Sequence, residues 1–115
     1  MVAFSIRIRT KGGYTMVKHI VMWRFKESVN KEEQPALKQD MKEHLEGLQG
    51  QIPGLLKLEF KADLLSKSTH DMALVSEFES AKDLANYSSH PKHVAVADTY
   101  VRPFVYDRSC LDYEE

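Results

Sequence analysis

The segment Tyr87-Ser88-Ser89-His90-Pro91-Lys92-His93 places a phenol and two imidazoles within seven residues, between two stretches of helical apolar spacing. Histidine titrates near neutral pH, so His93 can act as a general base on a carbon acid or a hydroxyl. A tyrosine hydroxyl can donate to the enolate or oxyanion that forms. Tyr87 and His93 are therefore the candidate catalytic pair. The competing account has Tyr87 packed and bonded to backbone while His93 braces the turn. Six residues and a helix break separate the two, so spacing alone does not bring them together. His90 precedes Pro91, where it shapes the start of the next helical segment or contacts a ligand. His19 shares one strand face with Val21 and Trp23, and both His19 and Trp23 are candidate pocket residues.

Other chemistry finds little support. A zinc site needs three or four converging ligands, and no spacing among His19, His70, His90 and His93 demands one. Cys110 is the single cysteine, which excludes an intrachain disulfide and a multi-cysteine metal cluster. There is no glycine-rich phosphate loop, nucleophile elbow or metalloprotease motif. The expectation is no metal and no cofactor.

The chain has 115 residues, enough for one domain with a core, and 43% hydrophobic content marks it as globular rather than disordered. A net charge of −1 with dispersed Lys and Arg gives no basic patch for nucleic acid or a membrane surface. No apolar run approaches the ~18 residues of a membrane span. A lone cysteine and no convincing signal peptide suit a cytoplasmic protein. Residues 1–15 read either as an added strand or arm, with Phe4, Ile6 and Ile8 alternating against Ser5, Arg7 and Arg9, or as a leader upstream of a true start at Met16. The second reading is preferred, leaving 16–115 as the domain.

The elements that must position the site follow from periodicity. Val17 to Phe25 alternates as a strand with two largely apolar faces. Asn30 and Glu33 form a capping-box pattern, and Leu37, Met41, Leu45, Leu48 and Ile52 form one stripe of an amphipathic helix whose end is marked by Gly50, Pro53 and Gly54. Strands at Leu55–Leu64 and Met72–Phe78 make an antiparallel hairpin. Ser80 caps a helix whose inward residues are expected at Ala81, Leu84, Ala85 and Ser88. That helix breaks before Pro91, a second runs from Pro91 to Pro103, a strand covers Phe104–Leu111, and Asp112–Glu115 is a charged tail. The order β-α-β-β-α-β predicts an α+β, ferredoxin-like split βαβ subunit with an antiparallel sheet and helices on one face. Apolar residues on the other face predict a homodimer formed face to face.

The chain resembles the stress-responsive dimeric α/β-barrel (Dabb) family over about residues 16–115. The matching residues are Val17-Lys18-His19-Ile20-Val21, Ile52-Pro53-Gly54, Ser76-Glu77-Phe78-Glu79-Ser80, Leu84 to Val94, Asp107-Arg108 and Asp112-Tyr113-Glu114. The resemblance implies a homodimer whose two sheets close into a barrel. Many members have no assigned activity. A plant polyketide cyclase member, similar in fold, implies Tyr87 and His93 as a cofactor-free aldol pair and His19 beside the pocket. Its further pocket histidine falls on Met72, a departure that weakens transfer of its substrate; His70 lies two residues earlier. The reading is a small homodimer with an apolar small-ligand pocket lined by His19, Trp23, Met72 and His90. The alternative is a cofactor-independent enzyme, cyclase-like or monooxygenase-like, on carbonyl or aromatic compounds. A purely structural protein is the third.

Overall fold

The computed structural model describes residues 16–115; the expectations for residues 1–15 lie outside them. Four strands, β1 (Val17–Phe25), β2 (Leu55–Lys61), β3 (Met72–Phe78) and β4 (Val105–Glu114), form one antiparallel sheet in the order β2-β3-β1-β4. Three α-helices, α1 (Gln34–Glu46), α2 (Ala81–Ser89) and α3 (Pro91–Val96), cover one face. This is the split βαβ arrangement expected from the alternation of strand and helix patterns.

Strict alternation in β1 decides which side chains meet the helices. Val17, His19, Val21, Trp23 and Phe25 are buried, while Lys18, Ile20, Met22 and Arg24 are only half-buried on the opposite face. Leu58, Phe60, Met72, Leu74, Ser76 and Phe78 join the helix side and pack on Met41 and Leu45 of α1 and Tyr87 of α2. Burial of this set is the main stabilising term. The single buried hydroxyl of the sheet, Ser76, donates to the His19 carbonyl at 3.0 Å, so it carries no unpaired polar cost.

Helix boundaries follow local chemistry and differ in detail from the periodic reading. Glu33 accepts from the Asn30 amide at 3.3 Å, as in a capping box, but the pair caps a short 3-10 turn over Lys31–Glu33 that leads into α1. Helix α1 ends at Gly47, so Leu48 and Ile52 reach the core from the following turns instead of from the helix. Side chains at and just past that end protect an open sheet edge. Glu46 accepts from the Phe60 amide and Gln49 from the Leu58 amide, each at 2.9 Å, on edge strand β2. Ser80 accepts from the Asp83 amide at 3.1 Å and caps α2 as expected. In α2, however, Tyr87 is the buried residue; Leu84 is half-buried and Ala81, Ala85 and Ser88 are exposed.

Two further expectations are corrected in the last third of the chain. After α3, five residues, Ala97–Val101, form a π-helical turn, and Arg102–Phe104 a 3-10 turn, in place of one continuous helix. The supposed tail, Asp112–Glu115, extends β4 as far as Glu114: Asp112 lies opposite His19 and Glu114 opposite Val17. Charged residues are tolerated there because β4 is an edge strand.

Candidate functional site

The break between α2 and α3 is built from the histidines that the sequence analysis singled out. His90 leaves helical geometry (φ −64°, ψ 132°), as a residue before proline must, and its Nδ1 accepts from the Lys92 amide at 3.1 Å. Pro91 then opens α3 without wasting a donor. The His90 amide donates to the Tyr87 carbonyl at 3.1 Å. His93 Nδ1 lies 3.2 Å from the Ser88 carbonyl. A carbonyl only accepts, so Nδ1 carries the proton and Nε2 is the basic nitrogen of the neutral ring.

This folding-back brings Tyr87 and His93 together, with ring centroids 4.2 Å apart. Tyr87 packs on its other side against Phe78 at 5.0 Å. The Tyr87 side chain is 1% exposed, and its hydroxyl has no hydrogen-bond partner among the described residues. That is an uncommon state for a buried polar atom. Burial holds the phenol far above its ordinary pKa, so it is a donor at all working pH values. Burial lowers the His93 pKa, opposed by the Ser88 hydrogen bond and assisted by the charges of Arg102, His19 and Arg108. The neutral, basic form is therefore favoured at pH 7.

Between these residues and the sheet lies a cavity of about 250 Å³. Val21, Trp23, Leu45, Leu74 and Val105 give it apolar walls, while Tyr87, His93 and His19 supply polar atoms. Ala97 and Val101 of the π-helical turn complete the wall, consistent with the frequent occurrence of such turns at functional sites. Stacking of Tyr100 on His44 of α1, at 3.7 Å and 11°, pins that turn in place. The exposed lining residues Ser88, Arg102, Tyr106 and Arg108 mark the mouth. Arg102 is paired with Asp98, and Arg24 with Asp107 at 2.6 Å, whereas no such carboxylate pair joins Arg108 among the described residues.

Of the sequence candidates, Tyr87, His93, His19 and Trp23 meet at this cavity. Met72 and His90 do not: Met72 is fully buried in the core opposite Trp23 in the sheet register, and His90 caps α3. Arg102, Tyr106 and Arg108 also line the cavity; as a sequence, Arg102 and Arg108 suggest no more than pairing with carboxylates such as Asp98 or Asp107 or with an anionic ligand, and nothing marks Tyr106. The inward position of Arg108 depends on a bulge. The β1–β4 register shifts between Met22 and Arg24, and Asp107 takes a positive φ of 54°. The extra residue returns Arg108, Cys110 and Asp112 to the helix side of the sheet. There Asp112 Oδ1 accepts a hydrogen bond from His19 Nδ1. Burial raises the Asp112 pKa, but the His19 hydrogen bond and charge more than offset this and the net direction is downward.

Comparison with known proteins places this arrangement. The sequence model described as Stress responsive A/B Barrel Domain matches residues 17–115. A dimeric protein of unknown function and ferredoxin-like fold from Bacteroides fragilis is 34% identical, with 87% of this chain and 96% of that one covered and a TM-score of 0.79. A Dabb family protein of ferredoxin-like fold from Mesorhizobium loti is 24% identical over 86% and 95% of the two chains, TM-score 0.65. The hydroxynitrile lyase from Passiflora edulis shares the fold at 22% identity over 87% and 93%, TM-score 0.64. No curated protein sequence matches. The ferredoxin-like subunit, the match over residues 17–115 and the 34% relative agree: the chain belongs to the stress responsive A/B barrel domain family.

Proposed function

We propose that the chain binds a small, mainly apolar carbonyl compound in the cavity beneath the α2–α3 break, held by a hydrogen bond from the Tyr87 hydroxyl. The observation that carries this reading is Tyr87, 1% exposed and with an unpartnered hydroxyl, among the residues that line a cavity walled largely by apolar side chains. Such a donor strongly favours a ligand that brings an acceptor, because the group otherwise bears a desolvation cost. A cavity of about 250 Å³ falls just below the ~300 Å³ at which drug-sized sites begin, so the ligand is compact, of the size of one substituted ring. Trp23, the single tryptophan, offers an aromatic face.

One observation favours acid–base chemistry on that ligand as a second reading. His93 has its proton committed to Ser88 on Nδ1, keeps Nε2 basic, and touches the Tyr87 ring. A base and an oxyanion donor at one cavity suit proton abstraction next to a carbonyl, without a cofactor. The same fold carries a hydroxynitrile lyase in Passiflora edulis.

The functional unit in this reading is a homodimer closed through the helix-free sheet face. Ile20 lies in register between Val75 and Leu111, and Met22 between Ala73 and Ser109, an apolar centre on an uncovered face. Leu111 is 57% exposed in the single chain. The solved relatives from Bacteroides fragilis and Thermobifida fusca are described as dimeric.

The test is a titration with aromatic aldehydes, aromatic ketones and β-keto compounds, followed by the His19 and His93 ring resonances. Saturable shifts in the wild type, lost in Tyr87→Phe, are expected for binding. Deuterium uptake at the α-carbon of a bound ketone, lost in His93→Gln, is expected for the catalytic reading. A folded protein that shows no shift across the panel overturns both.

A further inference from the structure

His19 is buried in β1, and it meets two residues of β4 whose side chains are metal ligands by chemistry. Asp112 stands directly across the register from His19, and Cys110 stands across from Val21, one step along the same face. Cys110 Sγ is 3.8 Å from His19 Nδ1 and 3.4 Å from Asp112 Oδ1, and Oδ1 and Nδ1 are in contact. All three candidate donor atoms lie within 4.8 Å of one another. We propose that His19, Cys110 and Asp112 form a three-ligand site for a divalent ion of the zinc class.

The distances fit that ion. Tetrahedral zinc with bonds of about 2.3 Å to sulfur and about 2.0 Å to nitrogen and oxygen sets sulfur about 3.6 Å from the other two donors. The two sulfur distances here already lie within a few tenths of an ångström of that value. Only the His19–Asp112 contact must widen, to about 3.3 Å. The ion replaces the proton that now joins these two atoms, and rotation of the half-exposed Asp112 carboxylate supplies the movement. Binding through Nδ1 moves the ring proton of His19 to Nε2, so the imidazole stays neutral, and releases the thiol proton of Cys110 to solvent. A thiolate, a carboxylate and an imidazole together offset the charge of a divalent cation, and the thiolate selects zinc or cobalt over magnesium or calcium. Three protein ligands leave one coordination position open, the layout of reactive rather than structural zinc. His19 is also a wall of the cavity, so the ion would sit beside the ligand pocket. A sequence reading that counts cysteines misses the site, because its ligands lie 91 and 93 residues apart and meet only through the β1–β4 register.

The inference does not depend on Tyr87 or His93, neither of which is a ligand here. The experiment is titration of the reduced, chelator-treated full chain with Co²⁺. A thiolate-to-cobalt charge-transfer band in the near ultraviolet, saturating at one ion per chain, is expected. Zinc should displace the cobalt. Cys110→Ser should abolish the band and weaken zinc binding at least tenfold. Asp112→Asn should keep the band and weaken zinc binding. Both positions are exposed, so both variants should fold, which circular dichroism checks. Since His19 is buried, its part is read from the shift of its ring nitrogens on adding Zn²⁺ to the wild type. Absence of the charge-transfer band overturns the proposal, as does zinc affinity unchanged in both variants.

Discussion

Replacing Tyr87 with Phe should make the ligand-free protein more stable while removing its ability to hold a carbonyl compound. The phenol is 1% exposed and its hydroxyl finds no partner among the described residues. An unpaired buried hydroxyl costs about 1–3 kcal/mol. Relaxation of the neighbouring side chains around the hydroxyl recovers part of that cost. The expected gain for Tyr87→Phe is therefore near the lower end, about 0.5–1.5 kcal/mol. For a domain of this size that raises Tm by about 2–6 °C. The ring contacts with Phe78 and His93 remain, so no cavity term opposes the gain. Tyr87→Ala, which deletes those contacts, should instead lose about 3–5 kcal/mol. Urea unfolding by circular dichroism measures both, and an unchanged m-value shows that the comparison is sound. A Phe variant that is destabilised by 1 kcal/mol or more would falsify the reasoning, because the hydroxyl would then be serving the fold.

Gly54 has φ +80° and a Cβ there would lie 2.2 Å from Asp83 Cγ, so Gly54→Ala should cost about 1–3 kcal/mol through strain alone, read by thermal unfolding. Ser80→Ala removes the α2 cap and should cost about 1 kcal/mol. Because burial lowers the His93 pKa, the unfolded chain binds more protons than the folded one just below pH 6.5. The His93 contribution to stability is thus complete above about pH 6.5 and is lost as pH falls through the folded value. His93→Gln should flatten that part of the stability–pH curve, and a curve parallel to wild type over that window would count against the burial argument. Ile20→Asp puts a charge at the centre of the helix-free face and should yield a folded monomer by sedimentation equilibrium, where the proposed homodimer predicts a dimer for the wild type.

The fold was legible because its signals are periodic. Alternation in β1 and β3 and the stripe along α1 are consequences of burying one face, and the caps at Asn30 and Ser80 follow from the donors that a helix start leaves open. The Tyr87–His93 pairing was legible as a hypothesis, because Pro91 forces the chain to fold back between them. What could not be read was set by departures from periodicity. The bulge at Asp107 adds one residue, which inverts the parity of everything after it and turns Arg108, Cys110 and Asp112 toward the helices. The length of β4 was hidden by its charge, since exposed residues of an edge strand need not be apolar. Met72 illustrates the opposite error. An alternating strand residue on the correct face still belongs to the core when its neighbours, and not the cavity, enclose it.

The most direct test of the central claim is a pair of Trp23 fluorescence titrations, with an aromatic ketone and with its analogue in which the carbonyl is a methylene. Trp23 lines the cavity and is the single tryptophan, so its emission reports occupancy of this site. Ketone binding about tenfold tighter than the methylene analogue in the wild type, with the two equal in Tyr87→Phe, is the predicted result. Equal affinities in the wild type, or a preference for the ketone that survives in Tyr87→Phe, would contradict a hydrogen bond from Tyr87 to the ligand.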